Sequence, residues 1–208
     1  ILTHIRHSEK VFIMKRLLLI LILTLSFQSW TKADDIRDFQ IEGMSIGDSA
    51  LDFFSEEEIK KNKYYAYSSK EYYQTYFMLP SSNIYTSIQV SIKEGDSDYI
   101  MTSIEGGIHP INFAKCKQKK IKIENELKLV FSDLQIDYDD EAPMENDPTG
   151  ETIGISTDIL FGQTFLDGPA IRIMCVDQSK YNEDEKGWVD NLRVAINSKE
   201  FNNFIQNN

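Results

Sequence analysis

The first candidate for chemistry is a serine in a G-x-S-x-G pattern, Gly43-Met44-Ser45-Ile46-Gly47. In serine hydrolases this pattern holds the nucleophile on a turn between a strand and a helix, and a histidine accepts its proton. After residue 33 the sequence offers only His109, without an acidic neighbour to orient the ring. The pattern also comes too early in the chain for the sheet that such an elbow needs. We therefore interpret Ser45 as a helix cap, and a hydrolase that uses Ser45 and His109 is the alternative.

A second candidate is the acidic stretch 133–151, because carboxylate oxygens in a loop are the ligands that calcium prefers. Its densest part consists of Asp137, Asp139, Asp140 and Glu141. Counted as an EF-hand loop from Asp137, the position of the required glycine falls on Ala142 and that of the final glutamate on Pro148. The spacing therefore favours a solvated acidic loop over residues 137–150, and a weak calcium site on the four carboxylates is the alternative.

Aromatic residues are concentrated between positions 64 and 77, where six tyrosines and one phenylalanine occur. Tyrosines on a strand can stack against a sugar or a peptide, and Tyr72, Tyr73 and Tyr76 are the candidate contacts. Such residues more often bury their rings at the edge of a small sheet while the hydroxyl stays in water. The platform for a ligand is the alternative to this structural interpretation.

The two cysteines, Cys116 and Cys175, both fall on faces that the sequence predicts to be buried. In an oxidising compartment an even pair is expected to form a disulfide, and two separate buried thiols are the alternative. One histidine and two distant cysteines do not supply a zinc site, and the chain contains no Gly-rich phosphate loop. We expect no cofactor.

Residues 1–33 are typical of an export signal rather than of a folded domain. Met14 is the expected start, and Lys15 and Arg16 supply the positive charge before an apolar run over 17–27. That run is shorter than the about 20 residues of a membrane-spanning helix. We predict cleavage after Ala33, with an uncleaved membrane anchor as the alternative, and no stable membrane insertion after cleavage.

The remaining chain is strongly acidic. The 208 residues carry 22 basic and 33 acidic side chains, and residues 1–33 hold five of the basic ones and one of the acidic ones. The rest therefore has 17 basic and 32 acidic residues and a formal charge of −15. This balance excludes nucleic acid as an expected partner, since phosphate binding needs a basic surface. Residues 34–208 suit one domain, or alternatively two fused units, 34–135 and 136–208.

Hydrophobic periodicity predicts the elements that must position these residues. We expect a helix, a corner and a short helix over 46–62, with a capping box at Ser55. A helix begins after Asn112, with Lys120 as the one charged member of its apolar stripe, and a short helix follows Ser198. The predicted strands are 72–78, 84–92, 99–105 (ended by Gly106-Gly107), 153–161, one with Ile171, Ile173 and Cys175 on the same face, and 191–197, the last with a helix over 188–196 as its alternative.

The order of these elements, α-βββ-α-βββ-α, predicts an α+β protein. Three-stranded meanders that are each followed by a helix favour antiparallel sheet, in one sheet or two, with the helices packed on one face.

The segment Ile41-Glu42-Gly43-Met44-Ser45-Ile46-Gly47, followed by a predicted helix and three strands, resembles the small outer-membrane assembly lipoproteins of the SmpA/OmlA type. The resemblance covers residues 41–106 and implies an envelope module that works by protein contact. The lipidated cysteine and the Leu-Gly-x-Pro turn of that family are missing. The chain also resembles uncharacterised exported bacterial proteins with a Gly-Asp-Ser opening and a Leu-Arg-Val strand, here Gly47-Asp48-Ser49 and Leu192-Arg193-Val194, which implies no activity.

We therefore expect a soluble exported protein, periplasmic or secreted, that acts as a binding or protein-interaction module without catalysis. Its partner is expected to be a protein or a small molecule of the cell envelope. The alternative is a periplasmic hydrolase that uses Ser45 or a calcium-binding acidic loop.

Overall fold

The computed structural model describes residues 36–131, 133–145 and 147–208. The predicted start at Met14, the export signal and the cleavage after Ala33 lie outside these residues. The described part contains helices and one antiparallel sheet of nine strands, which confirms the prediction of an α+β fold with antiparallel sheet.

The sheet joins strands from both halves of the chain. Its order is β1-β2-β3-β4-β9-β8-β7-β5, and β6 also pairs with β7. The bounds are β1 Lys63–Tyr64, β2 Tyr72–Met78, β3 Ser87–Lys93, β4 Met101–Ile108, β5 Gln135–Tyr138, β6 Ala142–Pro143, β7 Ile153–Leu160, β8 Ala170–Asp177 and β9 Asn191–Asn197. The two predicted meanders, β2-β3-β4 and β7-β8-β9, meet at their last strands, where β4 pairs with β9.

Four α-helices accompany the sheet in the described ranges. They are α1 Glu56–Lys61, α2 Phe113–Val130, α3 Lys180–Lys186 and α4 Lys199–Gln206. The capping box predicted at Ser55 is confirmed, because its hydroxyl accepts from the Glu58 amide while the Glu58 carboxylate accepts from the Ser55 amide. Asn112 and Ser198 cap α2 and α4, as the sequence predicts. The first predicted helix of the 46–62 segment is only a 3-10 turn, Ala50–Asp52.

One face of the sheet forms the hydrophobic core and is covered by α2, which packs on β8 and β9. Isoleucines, valines and leucines that alternate along the strands are fully buried there: Ile88, Val90, Ile92, Ile104, Ile171, Ile173, Leu192, Val194 and Ile196. The predicted disulfide is confirmed, since Cys116 of α2 is bonded to Cys175 of β8 across a Cα–Cα distance of 5.8 Å.

Lys120, the charged member of the apolar stripe, lies buried in this covered face rather than in solvent. Its Nζ is 2.5 Å from Glu124 Oε1 and 2.5 Å from Thr157 Oγ1, and the Thr157 hydroxyl also donates to Glu124 at 2.7 Å. The pair is tolerated because both charges are hydrogen-bonded to each other and to the sheet.

Three other features differ from the prediction. β4 does not end at Gly106-Gly107 but runs through both glycines to Ile108. The predicted acidic loop contains the strands β5 and β6, and α3 occupies the charged stretch that follows β8. The terminal helix α4 packs through Phe201 and Phe204 on Tyr72, whose side chain is on the face opposite α2.

Among the described helices, none combines the length and the apolar composition that crossing a bilayer requires.

Candidate ligand-binding groove

The sheet face opposite α2 carries a groove with a volume of about 870 Å³. Ligand sites commonly occupy clefts of this size. Its floor consists of the side chains that alternate with the core residues on β2, β3, β4, β9 and β8. Trp188 and Val189 come just before β9, while Phe201 and Ile205 come after it. These two apolar pairs therefore border opposite ends of the groove.

A row of groups with opposite charges crosses the middle of the floor. By strand register the row reads Tyr76, Gln89, Glu105, Ala195 and Arg172, and beyond the lining of the groove it continues to Asp158 on β7. Neighbouring strands lie about 4.8 Å apart, so Glu105 and Arg172 flank the small Ala195 side chain at a backbone separation of about 10 Å. The alanine leaves open space between an acid and a guanidinium.

The two groove arginines are held differently. Arg172 donates twice to Asp158, from Nε and from Nη2, at 2.7 Å each, and its guanidinium lies 4.5 Å from the ring centre of Phe165. Arg193 donates only from Nε, to Asn191 Oδ1 at 2.8 Å. Within the described ranges its two terminal nitrogens have no hydrogen-bond acceptor. Arg193 is therefore the groove arginine whose terminal N–H groups are available to a ligand.

Glu105 is the one acidic side chain among the residues that line the groove. Its nearest basic partner is Arg193, whose Nε lies 3.9 Å from Oε1, too far for a hydrogen bond. In the described part of the chain no donor is bonded to this carboxylate. Burial raises the pKa of Glu105, and the charge of Arg193 opposes that rise only in part. The site thus keeps an acid in surroundings that disfavour its charge.

Amide side chains on the floor have their oxygens occupied and, apart from Asn191, whose Nδ2 donates to the Val189 carbonyl at 2.8 Å, their nitrogens have no acceptor in the described structure. The oxygen of Gln74 accepts a hydrogen bond from the Ala66 amide, and that of Gln89 accepts one from the Tyr64 hydroxyl. The oxygen of Gln178 accepts from Asn182 Nδ2. The oxygens of Asn191 and Asn197 accept from Arg193 Nε and from the Ser103 hydroxyl. Gln74 is only 1% exposed, and its Nε2 has no partner in the described structure. Because a backbone N–H can only donate, the contact with Ala66 fixes the Gln74 oxygen and leaves the NH₂ group as the free end.

His109 joins a second polar cluster at the end of β4. Its Nε2 lies 2.9 Å from Tyr76 Oη and 3.0 Å from Ser87 Oγ. Burial, together with the nearby charge of Arg193, lowers the pKa of His109 and favours the neutral ring. Gly107 makes the cluster possible, because a Cβ at that position would lie 2.5 Å from Ser87 Oγ.

Of the three predicted tyrosine contacts, the structure places one in the groove. Tyr76 lines it beside His109. Tyr72 points to the same side of the sheet but is buried against α4, and Tyr73 lies on the core face under Lys63. Tyr64 and Tyr67, which the sequence analysis did not single out, line the groove as well.

Ser45 lies on the core side, in a setting unlike a nucleophile elbow. Ile41 and Met44 exchange backbone hydrogen bonds around a tight turn at Glu42 and Gly43, both with positive φ. The Ser45 hydroxyl is buried and donates to the carbonyl of Arg37 at 3.0 Å. It also does not cap a helix, because the following 3-10 turn is capped by Ser49.

Three of the four carboxylates of the predicted calcium alternative have separate partners. Asp137 accepts from Gln135 at 2.8 Å, Asp139 accepts from Ser156, Glu141 pairs with Lys117 at 2.7 Å, and Asp140 lies between β5 and β6. Among the described residues, no group of three His, Cys, Asp or Glu side chains is arranged to hold a metal ion.

Sequence reasoning missed Gln74, Glu105, Arg172 and Arg193 as site residues. Their alternation with apolar residues is visible in the sequence, but it looks the same on a solvent-facing surface. Only the pairing of β4 with β9 brings Glu105 and Arg193 together, and they stand 88 positions apart. No local pattern reports such a contact.

Comparisons with protein-family models, with curated proteins and with solved structures find no match. The resemblance to the SmpA/OmlA-type lipoproteins therefore stays a prediction. What the chain does has to be inferred from the groove itself.

Proposed function

We propose that the chain is an exported binding protein that holds a small polar organic ligand in the groove, without catalysing a reaction. The observation that carries this proposal is the unfinished hydrogen bonding of the floor. Buried polar groups in folded proteins are nearly always paired, because leaving one unpaired costs about 1–3 kcal/mol. The buried NH₂ group of Gln74 departs from that rule, and on the same face of the sheet the half-buried carboxylate of Glu105 accepts no hydrogen bond in the described structure.

Export to the periplasm or the outside medium is part of the proposal. The basic and apolar sequence of residues 15–27 supports it, and the disulfide adds weak support because such bonds persist mainly in oxidising compartments.

A variant that fills the groove tests the proposal. Ala195→Phe places a ring between Glu105 and Arg172, whereas Ala114→Phe adds the same ring to the exposed side of α2. The wild-type chain is incubated with the small-molecule fraction of a cell-envelope extract, and bound compounds are detected by native mass spectrometry. We expect a stoichiometric adduct that A114F retains and A195F loses, with both variants folded by near-UV circular dichroism.

An adduct that A195F retains, or the failure of every extract to give one, would contradict a ligand site in the groove.

A hydrolase is the second candidate, with Ser87 rather than Ser45 as the nucleophile. It is favoured by the 3.0 Å contact of Ser87 Oγ with His109 Nε2. Two observations oppose it: Tyr76 Oη lies 2.9 Å from the same nitrogen, and Ser87 is 3% exposed. Labelling of the wild-type chain by a fluorophosphonate probe, and its loss in Ser87→Ala, would support this candidate over simple binding.

A further inference from the structure

Unused hydrogen-bonding capacity in the groove lies mainly on the donor side. The amide oxygens of the floor are taken by donors of the chain itself, while the NH₂ groups of Gln74, Gln89, Gln178 and Asn197 have no acceptor among the described residues. The terminal nitrogens of Arg193 add further donors. The one carboxylate among the lining residues, which can accept hydrogen bonds, is that of Glu105. A ligand that completes these bonds needs more acceptors than donors.

Charge points in the same direction. The chain beyond residue 33 has 32 acidic residues and only three arginines, Arg37, Arg172 and Arg193. Two of the three line the groove, which contains a single acidic residue and no lysine. The groove is thus much less acidic than the surface around it.

We propose that the ligand carries a carboxylate that binds the terminal nitrogens of Arg193, while the rest of the ligand accepts hydrogen bonds from the amide groups of the floor. This inference rests on the proposed function of the groove. Guanidinium groups bind carboxylates through two parallel N–H···O bonds, and Arg193 has both terminal nitrogens available for that geometry. Arg172 is already held in this way by Asp158 and is not the anchor.

Glu105 makes the binding depend on pH. A ligand carboxylate at Arg193 brings a second negative charge close to Glu105, so binding favours the protonated form of this acid. The groups that face Glu105 from the surrounding elements are Arg193 on β9, Arg172 on β8 with Asp158 on β7, Tyr76 on β2, Tyr64 on β1, Tyr67 in the following loop, and His109 after β4. Burial raises the pKa of Glu105, and it also raises the pKa of Tyr64 and of Tyr67, but these two phenols already keep their protons at neutral pH.

Aromatic side chains on the walls suit a ligand with a flat apolar part. Tyr64, Tyr76 and Trp188 each keep between 37% and 41% of their surface exposed. Lys186 Nζ lies 4.3 Å from the Trp188 ring centre. An aromatic carboxylate is therefore the simplest probe of the proposed site.

The experiment compares benzoate with benzamide and benzylamine, which keep the ring and change only the charge. The full chain carries Trp30→Phe, so Trp188 is its single tryptophan and its fluorescence reports on the groove. We expect saturable quenching by benzoate and binding at least about 10-fold weaker for benzamide and benzylamine, because a charge-assisted pair is lost. Affinity for benzoate is expected to rise as the pH is lowered through the range in which Glu105 takes up its proton, with the series kept above about pH 5 so that benzoate stays ionised.

Three variants assign the roles. Arg193→Gln is expected to weaken benzoate binding at least about 10-fold, and Arg193→Lys is expected to recover part of the loss. Glu105→Gln is expected to tighten it by about 3-fold or more at neutral pH and to abolish the pH dependence, because the competing charge is gone. Lys122→Gln, which removes a positive charge from the exposed side of α2, is the matched control and should leave the affinity unchanged.

The outcomes separate this inference from the proposed function. Tighter binding of benzylamine than of benzoate, with a loss in E105Q, would overturn the carboxylate ligand and leave the groove as a ligand site. If R193Q binds benzoate as tightly as the wild type does, the carboxylate ligand is likewise overturned and the groove remains a ligand site. If none of the three compounds changes the Trp188 fluorescence at any concentration, this inference fails. The proposed function fails as well only if the envelope extract gives no adduct that depends on Ala195.

Discussion

The two faces of the sheet are built from the same strands and solve the burial of polar groups in opposite ways. On the covered face Lys120, Glu124 and Thr157 complete one another's hydrogen bonds beneath α2. On the groove face Gln74 and Glu105 lack such partners in the described structure. Both faces bury polar atoms, so burial alone does not mark a site. Buried oxygens of Asn182 and Asn202 also lack partners in the described structure, but only in the groove do unpaired groups of both kinds, amide donors and a carboxylate, border an open cavity.

The largest effect should come from breaking a completed network on the covered face. Lys120→Met leaves Glu124 buried without its cation, and we expect the free energy of unfolding to fall by about 3–5 kcal/mol. Urea denaturation followed by circular dichroism measures the change. The double variant Lys120→Met with Glu124→Leu should recover most of the loss, because neither charge then needs a partner. If the double variant is as unstable as Lys120→Met, the network stabilises the fold beyond the mutual neutralisation of its two charges.

The disulfide is expected to contribute the next largest effect. Replacing Cys116 and Cys175 by alanine removes a cross-link between residues separated by 59 positions. The chain-entropy relation gives about 4 kcal/mol as the upper figure for a loop of this size, with typical values of about 2–4 kcal/mol. Denaturation of the double variant against the wild type gives the difference. Two alkyl additions to the native chain without reductant, seen by intact mass, would contradict the bond itself.

A smaller effect is expected at the edge of the groove. Gly107→Ala places a methyl group 2.5 Å from Ser87 Oγ, and we expect a loss of about 1–3 kcal/mol from this overpacking. The ring signals of His109 in the NMR spectrum should shift at the same time, because Ser87 contacts that ring. Adding Ser87→Ala removes the clashing oxygen and should restore much of the stability. An unchanged His109 signal in G107A would contradict the close packing.

The smallest expected change in the free energy of unfolding is at Glu105, where we expect the substitution to stabilise the chain rather than to destabilise it. Burial raises the pKa of Glu105 above its ordinary value, so over an interval of pH the native state retains a proton that the unfolded chain has already lost. The free energy of unfolding therefore falls as the pH rises through that interval, and the stability is fully present only below about pH 4.5. We expect Glu105→Gln to raise the stability at neutral pH by on the order of 1 kcal/mol or less. Denaturation midpoints over a pH series test this, and a loss of stability in E105Q would show that the ionised acid supports the fold.

Much of the fold was predictable because its elements have local signals. Alternation along Ile88, Val90 and Ile92 predicts β3, and the serine and asparagine caps predict where helices begin. The disulfide followed from two cysteines on predicted buried faces. Gly106 and Gly107 misled the prediction, since glycine inside a strand weakens it. Here Tyr85 packs its ring on Gly106 and Ser87 fills the space at Gly107, so the missing side chains are replaced by neighbours from the adjoining segment.

The groove was not predictable for a different reason. Gln74, Glu105 and Arg193 belong to three strands, and their polar character is what a wet sheet face would also show. Which amide oxygen is occupied and which nitrogen is available depends on partners such as Ala66, whose position the fold sets. The tyrosine-rich segment did give a usable signal at Tyr76, but it could not tell the groove side from the core side without the strand register.

The groove can form only after β4 has paired with β9. Ser103 and Asn197 are partners across this seam although 94 residues separate them along the chain. During synthesis from the amino terminus, β2, β3 and β4 can pair early, whereas Arg193 is made only 88 residues after Glu105. A nascent chain that has not yet formed β9, or a chain cut short before it, would therefore hold Glu105 without its neighbours from β9, and ligand capture should begin only once β9 has paired with β4.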